Sequence, residues 1–121
     1  MGKTILIVDD SSSMRQLVSF ALKDAGYEVI AAVHGKDALD KMNGAKIEMV
    51  ITDLNMPEMN GIELIKQVRS KPGYSRAPII MLTTESQESK KQEGKAAGAS
   101  GWIVKPFTPV QLLDTVKRFV R

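Results

Sequence analysis

Cysteine is absent from the 121 residues. Disulfides, thiolate zinc sites and cysteine nucleophiles are excluded with it. Histidine occurs once, at His34, so no Ser-His-Asp grouping is offered, and His34 reads as a surface or helix-start residue rather than a base. No apolar stretch approaches the ~20 residues of a membrane span. Neither sign of charge dominates: 17 basic and 14 acidic side chains leave a net charge of +3. That excess is scattered, with no run longer than Lys90-Lys91, and gives no argument for nucleic acid. A glycine-rich phosphate cradle is missing, and with it a nucleotide pocket of the P-loop kind. The start, Met1-Gly2-Lys3-Thr4, lacks the form of a signal peptide. Leu6 stands where a myristoylation signal needs Ser or Thr. With no export signal, a cytoplasmic location is expected. No linker, repeat or low-complexity stretch divides the chain, so residues 1–121 are expected to form a single domain, long enough to bury a core.

What is present is a strong pattern, in a composition that is 43% hydrophobic and 26% charged. Residues 4–8 (Thr-Ile-Leu-Ile-Val) are a continuous β-branched run of the kind that suits a strand covered on both faces. The run ends in Asp9-Asp10. Serines 11–13 offer helix caps, and Met14, Leu17, Val18, Ala21, Leu22 and Ala25 follow at helical spacing before Gly26. Residues 27–32 predict a weaker strand near an edge. A short helix over 35–42 carries Ala38, Leu39 and Met42 inward, and Asn43-Gly44 closes it. Residues 47–52 form the next strand, ending at Asp53. Pro57 stiffens the loop that follows, and Asn60 with Glu63 predicts a capped helix over 61–70 with Ile62, Ile65 and Val68 inward. Residues 78–82 are a further buried run ending at Thr83-Thr84-Glu85. Residues 86–97 are helical but poor in apolar side chains, since Gln87, Lys90, Lys91, Gln92 and Gly94 offer little to bury. Such a helix is expected to be loosely held. Residues 101–104 predict the last strand, ending at Lys105-Pro106. Thr108-Pro109-Val110-Gln111 reads as a capping box with proline at the first helical position. Leu112, Leu113, Val116, Phe119 and Val120 stripe the final helix. Strand and helix alternate five times, which predicts an α/β domain with a parallel sheet and helices on both faces.

Polar groups stand just past four strand ends: Asp9 and Asp10, Asp53, Thr83 and Thr84, and Lys105. Open α/β sheets place their sites in the crevice beyond these ends. Any one of these residues alone is equally well a polar group leaving the core. Together they bring three acids, a hydroxyl and an ammonium to one rim. Clustered carboxylates repel unless neutralised. Oxygen donors without His or Cys favour a hard cation, Mg²⁺ or Mn²⁺. An ammonium and a hydroxyl can hold phosphate oxygens. The inventory suits phosphoryl transfer with a carboxylate as nucleophile.

Asp9-Asp10, the turn Asp53-Leu54-Asn55-Met56-Pro57 with Asn60-Gly61, Thr83, and Lys105-Pro106-Phe107 resemble the signature of two-component response-regulator receiver domains, in order and over essentially the whole chain. The resemblance implies a flavodoxin-like (βα)5 three-layer sandwich with parallel strand order 2-1-3-4-5. It implies that Asp53 accepts a phosphoryl group from a sensor histidine kinase. Asp10, Asp53 and the Asn55 backbone carbonyl would hold Mg²⁺, with Asp9 holding a metal-bound water. Lys105, joined to Pro106 in cis, would pair with the carboxylate and then with a phosphate oxygen. Thr83 would move to the phosphate and let the side chain at Trp102 turn inward, changing the face made by the fourth helix, fifth strand and fifth helix. Asn55 and Glu85 match the pair that tunes hydrolysis in chemotaxis-type members.

Two positions depart from the family. Trp102 stands where Tyr or Phe is usual, and Thr84 where Ala or Gly is common. Thr84 is expected to slow loss of an otherwise labile phosphoryl group. The resemblance further implies a monomeric, stand-alone switch rather than an enzyme, without membrane or nucleic-acid contacts. Its output would go to a protein such as a flagellar motor switch, and it admits a phosphatase as a further partner. A phosphorelay shuttle or a regulator of another enzyme is the alternative within the family. Outside it stand a Mg²⁺-dependent phosphohydrolase, for which no cap insertion is present, and a flavin module, for which the phosphate loop is missing.

Overall fold

The computed structural model describes residues 3–42, 46–84 and 88–120. Glu85, the Asn43-Gly44 stop and the first residues of the predicted fourth helix lie outside the described residues. Ten elements alternate along the chain. The strands are β1 (Thr4–Val8), β2 (Glu28–Ala32), β3 (Met49–Thr52), β4 (Ile79–Thr83) and β5 (Gly101–Val104). The helices are α1 (Ser12–Asp24), α2 (Gly35–Met42), α3 (Gly61–Ser70), α4 (Glu88–Ala97) and α5 (Pro109–Phe119). All pairings are parallel, in the order β2-β1-β3-β4-β5. This is the flavodoxin-like sandwich that the alternation and the resemblance predict.

Period-2 alternation splits the core into two layers. Leu6, Val8, Val50, Ile79 and Met81 face one way and pack with α2 and α3 through Ala38, Met42, Leu64, Ile65 and Val68. Ile5, Ile7, Met49, Ile51, Ile80, Leu82 and Ile103 face the other way and meet Val18 and Leu22 of α1 and Leu112 and Val116 of α5. The central strands are buried on both faces, so their sequences are apolar apart from the threonines at their ends, Thr4, Thr52 and Thr83. β2, at the edge, is largely half-exposed.

Local chemistry sets the helix starts. Ser11 accepts from the Met14 N–H at 3.3 Å. Asn60–Glu63 and Thr108–Gln111 are complete capping boxes. His34 caps α2, its Nδ1 accepting from the Asp37 N–H at 3.1 Å. Asp37 accepts from the Val33 N–H and pairs with Lys41 at 3.2 Å. These contacts, the Val33 bond first, hold its carboxyl below the usual range.

Some expectations are corrected. Leu17, placed inward by helical spacing, is 49% exposed, and Ala25 is an exposed cap residue. Phe119 is on the surface side of α5. The third strand begins at Met49 rather than residue 47. The fourth strand begins one residue later than predicted and includes Thr83, which is fully buried. Gly94, read as offering little to bury, is the buried residue of α4.

Arg69, at the end of α3, is a hub that spacing does not reveal. Its guanidinium donates to Gly98 O from Nε at 3.2 Å and from Nη2 at 2.6 Å. Nη1 donates to the carbonyls of Tyr74, Ser75 and Ala77 at 3.3, 3.2 and 2.6 Å. One cation thus ties the α3–β4 loop to the turn after α4, and its burial lowers the guanidinium pKa from its ordinary value.

Candidate functional site

Backbone hydrogen bonds continue the sheet just past its strands and gather their ends. Asp53 N–H donates to Val8 O at 2.9 Å, Asp9 N–H to Ala32 O at 3.2 Å, and Lys105 N–H to Thr83 O at 2.8 Å. The groups predicted at four strand ends therefore share one rim. Asp9, Asp10 and Asp53 each present a carboxylate oxygen within 4.8 Å of the others. Asp9 and Asp53 are buried, while Asp10 is exposed.

Lys105 bridges the two buried acids. Its Nζ lies 3.3 Å from Asp9 Oδ2 and 3.7 Å from Asp53 Oδ1. The ammonium is thus nearer Asp9, where the family resemblance emphasises the phosphoacceptor position. Asp9 is held from both sides, since its Oδ1 accepts from the Ser11 N–H at 2.9 Å. Arg15 Nη1 donates to Asp9 O at 2.6 Å and fixes the same turn. Asp53 Oδ1 accepts from the Leu54 N–H at 2.8 Å, which sets the plane of the carboxylate. At 8% exposure, Asp53 has a raised pKa: burial is the main cause, Asp9 and Asp10 add to it, and Lys105 and the Leu54 N–H oppose it. Three acids against one ammonium leave the cluster short of positive charge. An all-oxygen donor set with that deficit fits a hard divalent cation.

The loop from Leu54 to Asn60 closes on itself. Gly61 N–H donates to Leu54 O at 2.8 Å, and Met59 N–H to Pro57 O at 2.7 Å. Glu58 adopts a left-handed φ of 68° at its tip. Asn55 is exposed beside the cluster in sequence, and Thr84 is exposed just past β4. The Lys105–Pro106 bond is cis, as the resemblance implies. Trp102 is half-buried on β5, paired in register with Met81, while Thr83 pairs with Val104. By strand alternation the Thr83 and Trp102 side chains project to the same sheet face.

Residue types do not reveal the support of Asp9 by the Ser11 backbone N–H and by the Arg15 guanidinium, which donates to the Asp9 carbonyl. Nor do they reveal the two glycines, Gly61 and Gly94, whose role is the space they leave. A glycine inside an otherwise helical pattern was the available signal for Gly94.

Comparison with known proteins agrees with this geometry. The family described as response regulator receiver domain matches residues 5–117. Chemotaxis protein CheY1 of Helicobacter pylori is 44% identical over 115 residues, 93% of each chain. A chemotaxis protein CheY homolog of Campylobacter jejuni is 43% identical over 115 residues, 93% of this chain and 88% of its own. The solved structure of Vibrio cholerae CheY4 superposes with a TM-score of 0.96 at 52% identity, covering 99% of this chain and all of that one. With a family match across nearly its whole length, the same strand order and the acidic cluster at the strand ends, this chain belongs to the response-regulator receiver domains, and within them to the CheY type of chemotaxis regulators.

Proposed function

We infer that the protein is a phosphorylated switch whose acceptor is Asp53. The observation that carries this is the position of the Asp53 carboxylate: at the end of a central strand, within 4.8 Å of two further acids and 3.7 Å from the Lys105 ammonium. An Asp53 oxygen attacks the phosphorus of a phosphohistidine on a sensor kinase. The new P–O bond forms as the P–N bond breaks, and the leaving imidazole takes up a proton. The Leu54 N–H holds the carboxylate in plane. Lys105, already between Asp9 and Asp53, is placed to follow negative charge onto a phosphoryl oxygen.

Asp10, Asp53 and the Asn55 carbonyl would hold Mg²⁺. Asp9, both of whose oxygens already have partners, would support from behind. Bound Mg²⁺ supplies positive charge against which the phosphoryl oxygens are neutralised. Incubation with acetyl phosphate and Mg²⁺, read by intact mass, tests the reading. A single phosphoryl adduct is expected, and no adduct with any phosphodonor overturns it.

Thr83 and Trp102 share the sheet face covered by α4, so a Thr83 hydroxyl drawn to the phosphate alters the packing beside Trp102. The changed surface is that of α4, β5 and α5, which is read by a partner protein, a flagellar motor switch component in keeping with the chemotaxis names of the relatives. Asn55, Thr84 and Glu85 tune the loss of the phosphoryl group.

Two expected results follow from this reading. Mg²⁺ at roughly ten times its Kd raises stability by about 1.4 kcal/mol, some 5 °C in Tm for a domain of this size. Asp10→Asn removes that rise at the same concentration, and thermal melts with Ca²⁺- and Mg²⁺-free controls check it. Thr84→Ala speeds loss of the phosphoryl group severalfold, because the branched hydroxyl shields the acyl phosphate from water. Following phosphate release from the purified adduct measures this, and a slower or unchanged rate counts against it.

A further inference from the structure

Among the described residues, α4 buries fewer side chains than any other helix. Its sequence is Glu-Ser-Lys-Lys-Gln-Glu-Gly-Lys-Ala-Ala, and its buried residue is Gly94. A Cβ built on Gly94 would lie 2.9 Å from Cζ3 and 3.6 Å from Cε3 of Trp102. The helix therefore rests on the indole at the point where it has no side chain. Glycine inside a helix is unfavourable relative to alanine, so its presence here needs a packing reason, and the indole supplies one. Ala97, Ala99 and Trp102 together lean on the core beneath α3 and β4. On the outer side Trp102 borders an open hollow of about 280 Å³ that it lines with Lys91, Lys95, Ala99, Ser100 and Gly101. The indole thus packs against both Gly94 and the core, with the open hollow on its other side.

We propose that Gly94 is the positioning residue of the switch: the missing Cβ seats the oversized Trp102 ring against α4, so that helix and indole move together. This rests on the phosphoswitch reading for its purpose, though not for its geometry. The contact extends the connection from Asp53 and Thr83 to the helix that presents the output surface. It also accounts for an indole at a position where a smaller ring is usual.

The test places Gly94→Ala in two backgrounds, wild type and Trp102→Tyr, which lacks the fused ring that carries Cζ3. In the Tyr background alanine raises the folding equilibrium constant about four- to fivefold, the ordinary gain for a helix interior. With the indole present that gain is lost and the constant falls. The emission of Trp102, the sole tryptophan, shifts to the red and becomes more open to acrylamide. Amide exchange over 88–97 speeds up while the central strands keep their protection. Equal gains in both backgrounds with unchanged emission overturn the proposal. Beryllofluoride with Mg²⁺, added to the wild type, tests the underlying reading separately. If the indole stays silent while positions 94 and 102 remain non-additive, the switch reading fails and the seating stands. If the two positions are additive, the seating fails whatever the fluoride complex does.

Discussion

Asp53→Asn is expected to leave a folded protein that gains no phosphoryl group from acetyl phosphate and Mg²⁺, however long the incubation. The amide keeps the shape of the carboxylate but has no nucleophilic anion. It also loses one of the three charges that would hold the cation. The loss is all-or-none on intact mass, and an undiminished adduct in the variant places the acceptor elsewhere. Stability is expected to move the opposite way. The folded-state pKa of Asp53 is raised, chiefly by burial. Between the unfolded and folded pKa values the native state binds more protons than the unfolded state, so stability falls as pH rises through that window. Above it the ionised carboxylate carries a standing cost. Removing the charge is therefore expected to raise the stability of the metal-free protein at neutral pH. Lys105 keeps Asp9 as a partner at 3.3 Å. Chemical denaturation in the presence of a chelator measures the gain. Lost function with increased stability separates removal of the acceptor from misfolding, which would lower both.

The layout of the site was legible in the sequence because of the kind of sheet that carries it. Parallel strands covered on both faces need continuous apolar runs, and each run here stops at a polar group that must face the rim. Asp9, Asp53 and Lys105 could be placed for that reason. Thr83 was harder to place. A β-branched hydroxyl residue fits a buried strand position as well as a turn, and the structure puts it inside β4. Helical spacing identifies α1 but not the width of its buried stripe: it places Leu17 inward, while Leu17 and Phe20 stand 49% and 73% exposed. The bias of Lys105 toward Asp9 depends on tertiary distances that no local pattern encodes. Nor does a sequence say what a glycine leaves room for. Gly61 read as the restart of a helix and Gly94 as a weak point in one, and both turn out to be places where another group comes within contact distance.

Gly61→Ala is expected to cost about 3 kcal/mol, or roughly 12 °C in Tm, although alanine is the better helix former by at most ~1 kcal/mol. A Cβ at this position would run into Asp53 O and lie 2.8 Å from Met81 Sδ and 3.0 Å from Leu54 Cα. The thioether can turn aside, because methionine is flexible. The other two atoms are backbone. Asp53 O also accepts from Thr52 Oγ1 at 3.0 Å, and Gly61 N–H donates to Leu54 O at 2.8 Å. Relief of the clash must therefore open the loop that runs from Leu54 to Gly61 or displace the backbone of the acceptor residue. Gly73 supplies the comparison. It has a left-handed φ of 91° but nothing within 4 Å of a Cβ, so Gly73→Ala meets backbone strain alone, about 1 kcal/mol. Denaturant midpoints for the two variants are expected to rank in that order. The second readout is local to the site: Gly61→Ala weakens the Mg²⁺-induced rise in Tm and slows phosphoryl uptake, whereas Gly73→Ala leaves both as in the wild type. A Gly61→Ala protein as stable as Gly73→Ala, with normal phosphoryl uptake, would show that the loop can part from Asp53 without disturbing it. The close approach of Gly61 would then have no part in holding the acceptor in place.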